Sequence, residues 1–279
     1  MVAAAARVSL LDSRLVGRIA LLSAAAIGYG VILMPILFVC WLSFFSNELV
    51  TFPPQGYTLR WFAHIFDQNN FVSGFITSLQ VGIVAMIGGL LLGVPASLVL
   101  ARRKFPGREA LNTLLVLPLV VPGIVAGTAI YVFQIEVELA TELPLLGSRA
   151  GLVLAHIMIT IPWTVRLLTA SLAGFDRSIE EAAQNLGATP MQAFMKVTLP
   201  VIKPGVVAAA LFSFIISFGN LEMTLFLVAP GQTTLPIAIL QYLQWRIDPT
   251  IAAVSLLQIV IIGTGLLVTD RYVKLTRVL

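Results

Sequence analysis

Few side chains in this sequence are placed for chemistry, and their spacing excludes several kinds of it. Cys40 is the single cysteine and lies inside an apolar run, so neither an intrachain disulfide nor a multi-thiolate metal site is available; it reads as a small apolar side chain. His64 and His156 are isolated, and neither has a second histidine at His-x-x-x-His spacing. No Gly-x-x-x-x-Gly-Lys-Ser/Thr occurs, so the chain carries no phosphate-cradling loop. No His-Glu-x-x-His and no embedded carboxylate pair supports an enzyme. Two ionisable residues stand inside long apolar runs, Arg166 and Glu222. In hydrocarbon such a charge costs about 2.5–3.5 kcal/mol on insertion scales, so each must face protein or water. Glu222 follows Ser217-Phe218-Gly219-Asn220. A carboxylate there can draw in a cation, which makes Phe218, Asn220 and Glu222 candidates for a pathway or gate; the alternative for Glu222 is an interface residue at headgroup level. Arg166 reads as a structural charge that snorkels or bonds loop carbonyls. Glu136, Glu138 and Glu142 form an acidic segment that either receives cationic groups or is merely solvated.

The elements that must position these residues follow from composition. Of 279 residues, 58% are hydrophobic and 11% charged, and the mean hydropathy is +0.98. A soluble domain has roughly 45–50% apolar and about 25% charged residues. This chain has too few charges to coat a water-soluble surface, and it is too apolar for disorder. The lysines and arginines cluster between apolar runs, so the net charge of +4 reflects membrane orientation and not nucleic-acid binding.

Six stretches are long enough to cross a bilayer as helices, which takes about 20 apolar residues. They run from Ile19 to Asn47, Ser73 to Leu100, Ala110 to Ile135, Ala150 to Leu172, Pro204 to Val228 and Thr250 to Thr269. The first is too long for the apolar core of a cleaved signal peptide, about 7–15 residues, and reads as an anchor. Gly88, Gly89, Gly93, Gly263 and Gly265 suit close helix packing. Pro95, Pro118, Pro122 and Pro162 kink spans or break their backbone bonds. Between the first two spans, Leu59, Phe62, Ala63 and Phe66 have helical spacing, as in a helix lying flat on the membrane surface or a packed loop.

Thirteen of the 17 basic residues fall in the two tails and the loops after spans two and four. That asymmetry places both termini and the loop 174–203 in the cytoplasm. This loop spells two short helices. Ser178-x-x-Glu181 reads as a capping box, Ile179, Ala182, Ala183 and Leu186 share one face, and Gly187 stops the helix. Thr189-Pro190 starts another with Gln192 as its capping-box partner; Ala193, Phe194 and Val197 form its face, and Leu199-Pro200 ends it. So short an apolar face cannot build a core. Either it docks into a groove of another protein, or it packs on this chain's own spans.

Glu181-Ala182-Ala183, three residues, Gly187, nine residues, Val197, one residue, Leu199-Pro200 resembles the EAA loop of bacterial ABC-importer membrane subunits, with valine where isoleucine is usual. Ile161-Pro162-Trp163-Thr164-Val165-Arg166 and the stretch from Thr234-Leu235-Pro236 to Ser255 are similar to the same family, most of all to the second permease of spermidine/putrescine-type transporters. In polyamine permeases an acidic residue commonly follows the Ser-Phe pair; here Gly219 and Asn220 stand there and the carboxylate comes later.

The resemblance implies an all-α, polytopic membrane protein with six transmembrane helices and cytoplasmic N and C termini. A tail (1–18) and a first helix (19–47) precede the importer domain (73–269), and a tail (270–279) follows. It implies a multi-pass location in the bacterial cytoplasmic (inner) membrane and a transport subunit with no cofactor, metal or nucleotide site. Its partners would be an ABC ATPase dimer, a second permease making a heterodimer, an extracytoplasmic solute-binding protein and the lipid bilayer, with no nucleic acid. Glu181, Ala182, Ala183, Gly187, Val197, Leu199 and Pro200 would couple to the ATPase. The solute would be small and cationic, such as spermidine or putrescine; the alternatives are aminophosphonate, opine or another small charged solute. An ATP-independent secondary transporter would need more embedded carboxylates and leaves the two-helix loop unexplained.

Overall fold

The computed structural model describes residues 2–49, 51–229 and 231–273, with side chains from residue 16 to residue 271. Lys274 and Arg277 of the expected tail lie outside the described residues, as do the side chains of Arg7 and Arg14. The described chain is helical, with one isolated bridge between Phe45 and Tyr57. Its helices are α1 (Val2–Leu42), α2 (Arg60–Asp67), α3 (Asn69–Arg102), α4 (Arg108–Val116), α5 (Gly123–Thr141), α6 (Arg149–Ala173), α7 (Arg177–Asn185), α8 (Pro190–Ala193), α9 (Leu199–Phe218), α10 (Thr224–Leu227), α11 (Leu235–Trp245) and α12 (Thr250–Val273). Six helical segments among the described residues are long and apolar enough to cross a membrane: Val16–Leu42, Asn69–Arg102, Gly123–Thr141, Arg149–Ala173, Pro190–Phe218 and Thr250–Arg271.

The chain divides into two compact units, one comprising residues up to His64 with Ile247–Gln258, the other Ile65–Arg246 with the residues from Ile259 onward. In the first, α1 presents exposed apolar side chains from Val16 to Leu37, as a lipid-facing or partner-facing helix does. It continues back to Val2 and stops at Leu42, short of Asn47, where Ser43 and Phe44 turn the chain. The loop beyond is pinned by Trp61, whose indole N–H donates to the Phe45 carbonyl at 2.6 Å. Trp61 and Ile65 are the buried face of α2, whereas Leu59, Ala63 and Phe66 are exposed, so the helix forms and the apolar set with helical spacing is left uncovered by the chain.

In the second unit α3, α6 and α9 pack against one another, and α11 packs on α3. The α3–α6 seam is made of small residues: Ala85, Gly89, Gly93 and Ser97 recur every four residues and are buried. A side chain at Gly88 would strike Ile157, at Gly89 Thr160, and at Gly93 Thr164. The backbones lie close enough for the Thr160 hydroxyl to donate to the Ala85 carbonyl at 3.1 Å, and Thr164 bonds Ser213 of α9 at 3.1 Å. Without a hydrophobic drive between helices in lipid, such small-residue contacts and hydroxyl bonds hold a bundle together. Gly263 and Gly265 differ: an added Cβ at either meets nothing within 4 Å, so they form no close seam among the described residues.

Two expected spans are redrawn. The third does not run unbroken from Ala110: Pro118 and Pro122 interrupt it, and the spanning helix is α5, starting at Gly123. As a result Glu136 and Glu138 lie on the last turns of α5 and not in a free loop, and Glu138 Oε2 accepts the backbone N–H groups of Leu145 and Leu146. The helix of the fifth span ends at Phe218, not Val228, and extends back past Pro204 into the elbow. Residues Pro190–Phe218 form one continuous helical rod with a π-helical turn at Phe194–Thr198. Leu199-Pro200 therefore does not end the second short helix. The wide turn removes the carbonyl clash that Pro200 would otherwise impose on an α-helix.

Candidate coupling elbow and pathway

The loop 174–203 folds into a tight elbow. Asp176, not Ser178, caps α7: its Oδ1 accepts the Ser178 backbone N–H at 2.9 Å, while Ser178 sits within the first turn. These hydrogen bonds from Ser178 hold the Asp176 carboxyl below its usual range, so it caps as a carboxylate. At the other end Gly187 N–H bonds the Gln184 carbonyl at 2.9 Å and Ala188 N–H bonds the Ala183 carbonyl at 3.1 Å. Gly187 stands at φ +95°, the left-handed position that such a paired C-terminal turn requires. Thr189 and Gln192 then make the expected reciprocal capping box around Pro190.

The apolar face of α7 points away from the chain. Ile179 is 49% exposed, Leu186 90% and Met191, at the start of α8, 69%; Glu181, Ala182 and Gly187 are exposed as well. Ala183, Val197 and Leu199 are half-buried and Pro200 is exposed. Glu181 makes no hydrogen bond or ion pair among the described residues, so it does not close a box with Ser178. The elbow is held from behind by Glu180, which sequence reasoning missed. This residue is 7% exposed, and its carboxylate is gripped by Arg102, at 3.1 and 2.7 Å, and by the Thr198 hydroxyl at 2.9 Å. Nothing in local spacing signals a pair 78 residues apart.

A second constellation lies where α9 breaks. The break, Gly219–Met223, faces the break before α5: a side chain at Gly123 would collide with the Glu222 carboxylate, and one at Gly127 with the Met223 backbone. Glu222 is exposed and lies in this break, outside the helix that was expected to hold it. Asn220 is a cap. Its Oδ1 accepts the N–H groups of Met223 and Thr224, each at 3.2 Å, and so starts α10. Phe218 is buried, stacked on Phe214 at 5.4 Å and met edge-to-face by Phe75 at 5.9 Å. His156, which looked isolated, bonds Ser217 at 2.7 Å and Thr224 at 3.2 Å and thus ties α6 to both sides of the break. Only the fold brings these residues together. Arg166 is exposed on α6, and its guanidinium bonds no loop carbonyl among the described residues. No three His, Cys, Asp or Glu side chains gather as a metal site among the described residues.

Six helices long and apolar enough to cross a bilayer, with an exposed elbow between two of them, define a multi-pass membrane protein. The chain belongs to the family of binding-protein-dependent transport system inner membrane components, whose model matches residues 89–276, and is an ABC-importer permease subunit. It is 29% identical over 238 residues to the putrescine transport system permease protein PotI of Escherichia coli K12, covering 85% of this chain and 84% of that one. It is 31% identical over 227 residues to the trehalose transport system permease protein SugB of Mycobacterium tuberculosis, covering 80% of each. A bacterial ABC transporter involved in the import of the acidic polysaccharide alginate shares the fold, with a TM-score of 0.70, 17% identity and coverage of 94% of this chain and 97% of that one.

Proposed function

We propose that this chain forms half of a translocation pathway, paired with a second permease, and that its elbow docks into a cleft of a cytoplasmic ABC ATPase. The observation that carries this reading is the exposed apolar crest of Ile179, Leu186 and Met191, mounted on a rigid double-capped turn. Apolar side chains on so short a helix stabilise nothing within their own chain, and they fit the groove of a partner. Glu181, Ala182, Ala183 and Gly187 lie on or beside the crest, where a polar rim and small contacts permit close approach. Val197, Leu199 and Pro200 join the elbow to the spanning rod. With the elbow in the cytoplasm, the tails 1–18 and 270–279 share that side of the inner membrane, and a solute-binding protein meets the opposite face.

The solute is a small cation of the polyamine class. The putrescine and trehalose permeases are about equally similar to this chain, so identity does not choose between them. What supports a cation is Glu222, an exposed carboxylate at the junction of two broken helices, where Phe218 and Asn220 fix the backbone around it. Replacing a charge by a neutral isostere near a cation removes at least about 1.4 kcal/mol, a tenfold effect, at intermediate dielectric. Glu222→Gln is therefore expected to lower ATP-driven uptake of labelled putrescine about tenfold in proteoliposomes containing both permeases, the ATPases and the binding protein. Unchanged uptake would remove Glu222 from the pathway, and wild-type uptake of trehalose but not putrescine would replace the cation by a neutral solute.

A further inference from the structure

Three separate parts of the chain meet at one part-buried ion pair. Arg102 is the last residue of α3, Glu180 lies on the hidden side of α7, and Thr198 closes the π-helical turn that feeds α9. The Arg102 fork donates to both Glu180 oxygens, at 3.1 and 2.7 Å, and its Nη2 also donates to Thr198 Oγ1 at 3.1 Å. The Thr198 hydroxyl donates in turn to Glu180 Oε2 at 2.9 Å. Arg177 Nη1 adds a bond to the Arg102 carbonyl at 3.4 Å. Thr198 is fully buried and Glu180 nearly so. A bidentate, charge-assisted pair is geometrically specific, and removing Arg102 strands the nearly buried Glu180 carboxylate.

We propose that this triad is a mechanical joint, resting on the reading that the elbow docks on the ATPase. Displacement of the elbow reaches α9 through the unbroken rod Pro190–Phe218. Without a second attachment α3 would be moved only through its packing. Arg102 supplies that attachment, so α3 and α9 move with the elbow as one body. Glu180 and Arg102 are positioning residues: they face away from the partner surface formed by Leu186 and Met191 and set where that surface sits.

The test places spin labels at two exposed positions, Arg103→Cys beyond α3 and Gln184→Cys on α7, in a Cys40→Ser background. Distances are measured in the reconstituted transporter, without nucleotide and trapped with MgATP and vanadate. In the otherwise unaltered chain one narrow distance distribution is expected, unchanged by trapping. Glu180→Gln and Arg102→Met are expected to broaden it and shift it on trapping, while the ATPase subunits stay bound. The exchanged pair Glu180→Arg with Arg102→Glu is expected to restore the narrow distribution. A distance that changes on trapping in the unaltered chain overturns the joint, as does a Glu180→Gln chain that behaves like it. Where the single variants fail to accumulate, the exchanged pair decides, since accumulation with a broad distribution also overturns the proposal. Failure of the elbow-docking reading shows separately, as ATPase subunits that do not bind the unaltered chain at all.

Discussion

Replacing Leu186 by aspartate is expected to abolish attachment of the ATPase and, with it, ATP-driven uptake. Leu186 is 90% exposed, so the substitution disturbs no contact within the chain. Its backbone lies at the C-terminus of α7, and Gly187, not residue 186, supplies the left-handed conformation of the turn. Burial of a leucine in a partner's cleft is worth about 1.5–3 kcal/mol, and forcing an unpaired carboxylate into the same apolar cleft adds several kcal/mol of cost. A loss of at least about 3 kcal/mol corresponds to more than about a hundredfold in affinity. Purification through a tagged permease should then recover little ATPase subunit from the variant and a full complement from the parent. Equal recovery from both would mean that Leu186 does not enter the partner.

Gly89→Leu is expected to have the second large effect, on assembly of the bundle. A Cβ at position 89 falls on the Thr160 side chain, whose hydroxyl is bonded to the Ala85 carbonyl. The leucine must push α3 from α6, lose that hydrogen bond and open the seam that Gly93 and Ser97 continue. Overpacking costs typically 1–3 kcal/mol and more where backbone must move. Detergent-solubilised Gly89→Leu should lose most of its monodisperse yield and melt lower than the parent. Gly263→Leu is the matched control, because its added side chain meets open space. Equal losses in both variants would show that the seam is not what holds α3 and α6 together.

Much of this was legible in the sequence, for reasons that can be named. Spanning helices announce themselves because a bilayer demands long uncharged runs, and the elbow does so because Gly187, Thr189, Pro190 and Gln192 are each tied to one local backbone task. Errors arose where local rules compete. Ser178-x-x-Glu181 has capping-box spacing, yet Asp176 two residues earlier offers a carboxylate to the same helix end and takes it. Leu199-Pro200 reads as a stop, but a π-helical turn lets the proline continue a rod. Pro118 and Pro122 read as breaks, but spacing alone does not mark them as the boundary that starts α5 at Gly123. Arg102 reaches Glu180 and Thr198, and His156 reaches Ser217 and Thr224, across 61 to 96 positions of sequence. No periodicity reports such pairings, and only the packed helices reveal them.

Cross-linking from position 186 tests most directly whether energy from a neighbouring ATPase enters through the elbow. A single cysteine at Leu186, in a Cys40→Ser chain assembled with its ATPases, should form a short-span cross-link to the ATPase subunit both without nucleotide and in the vanadate-trapped state. An intact, transporting complex in which residue 186 forms no such cross-link, while another surface of the chain does, would contradict it.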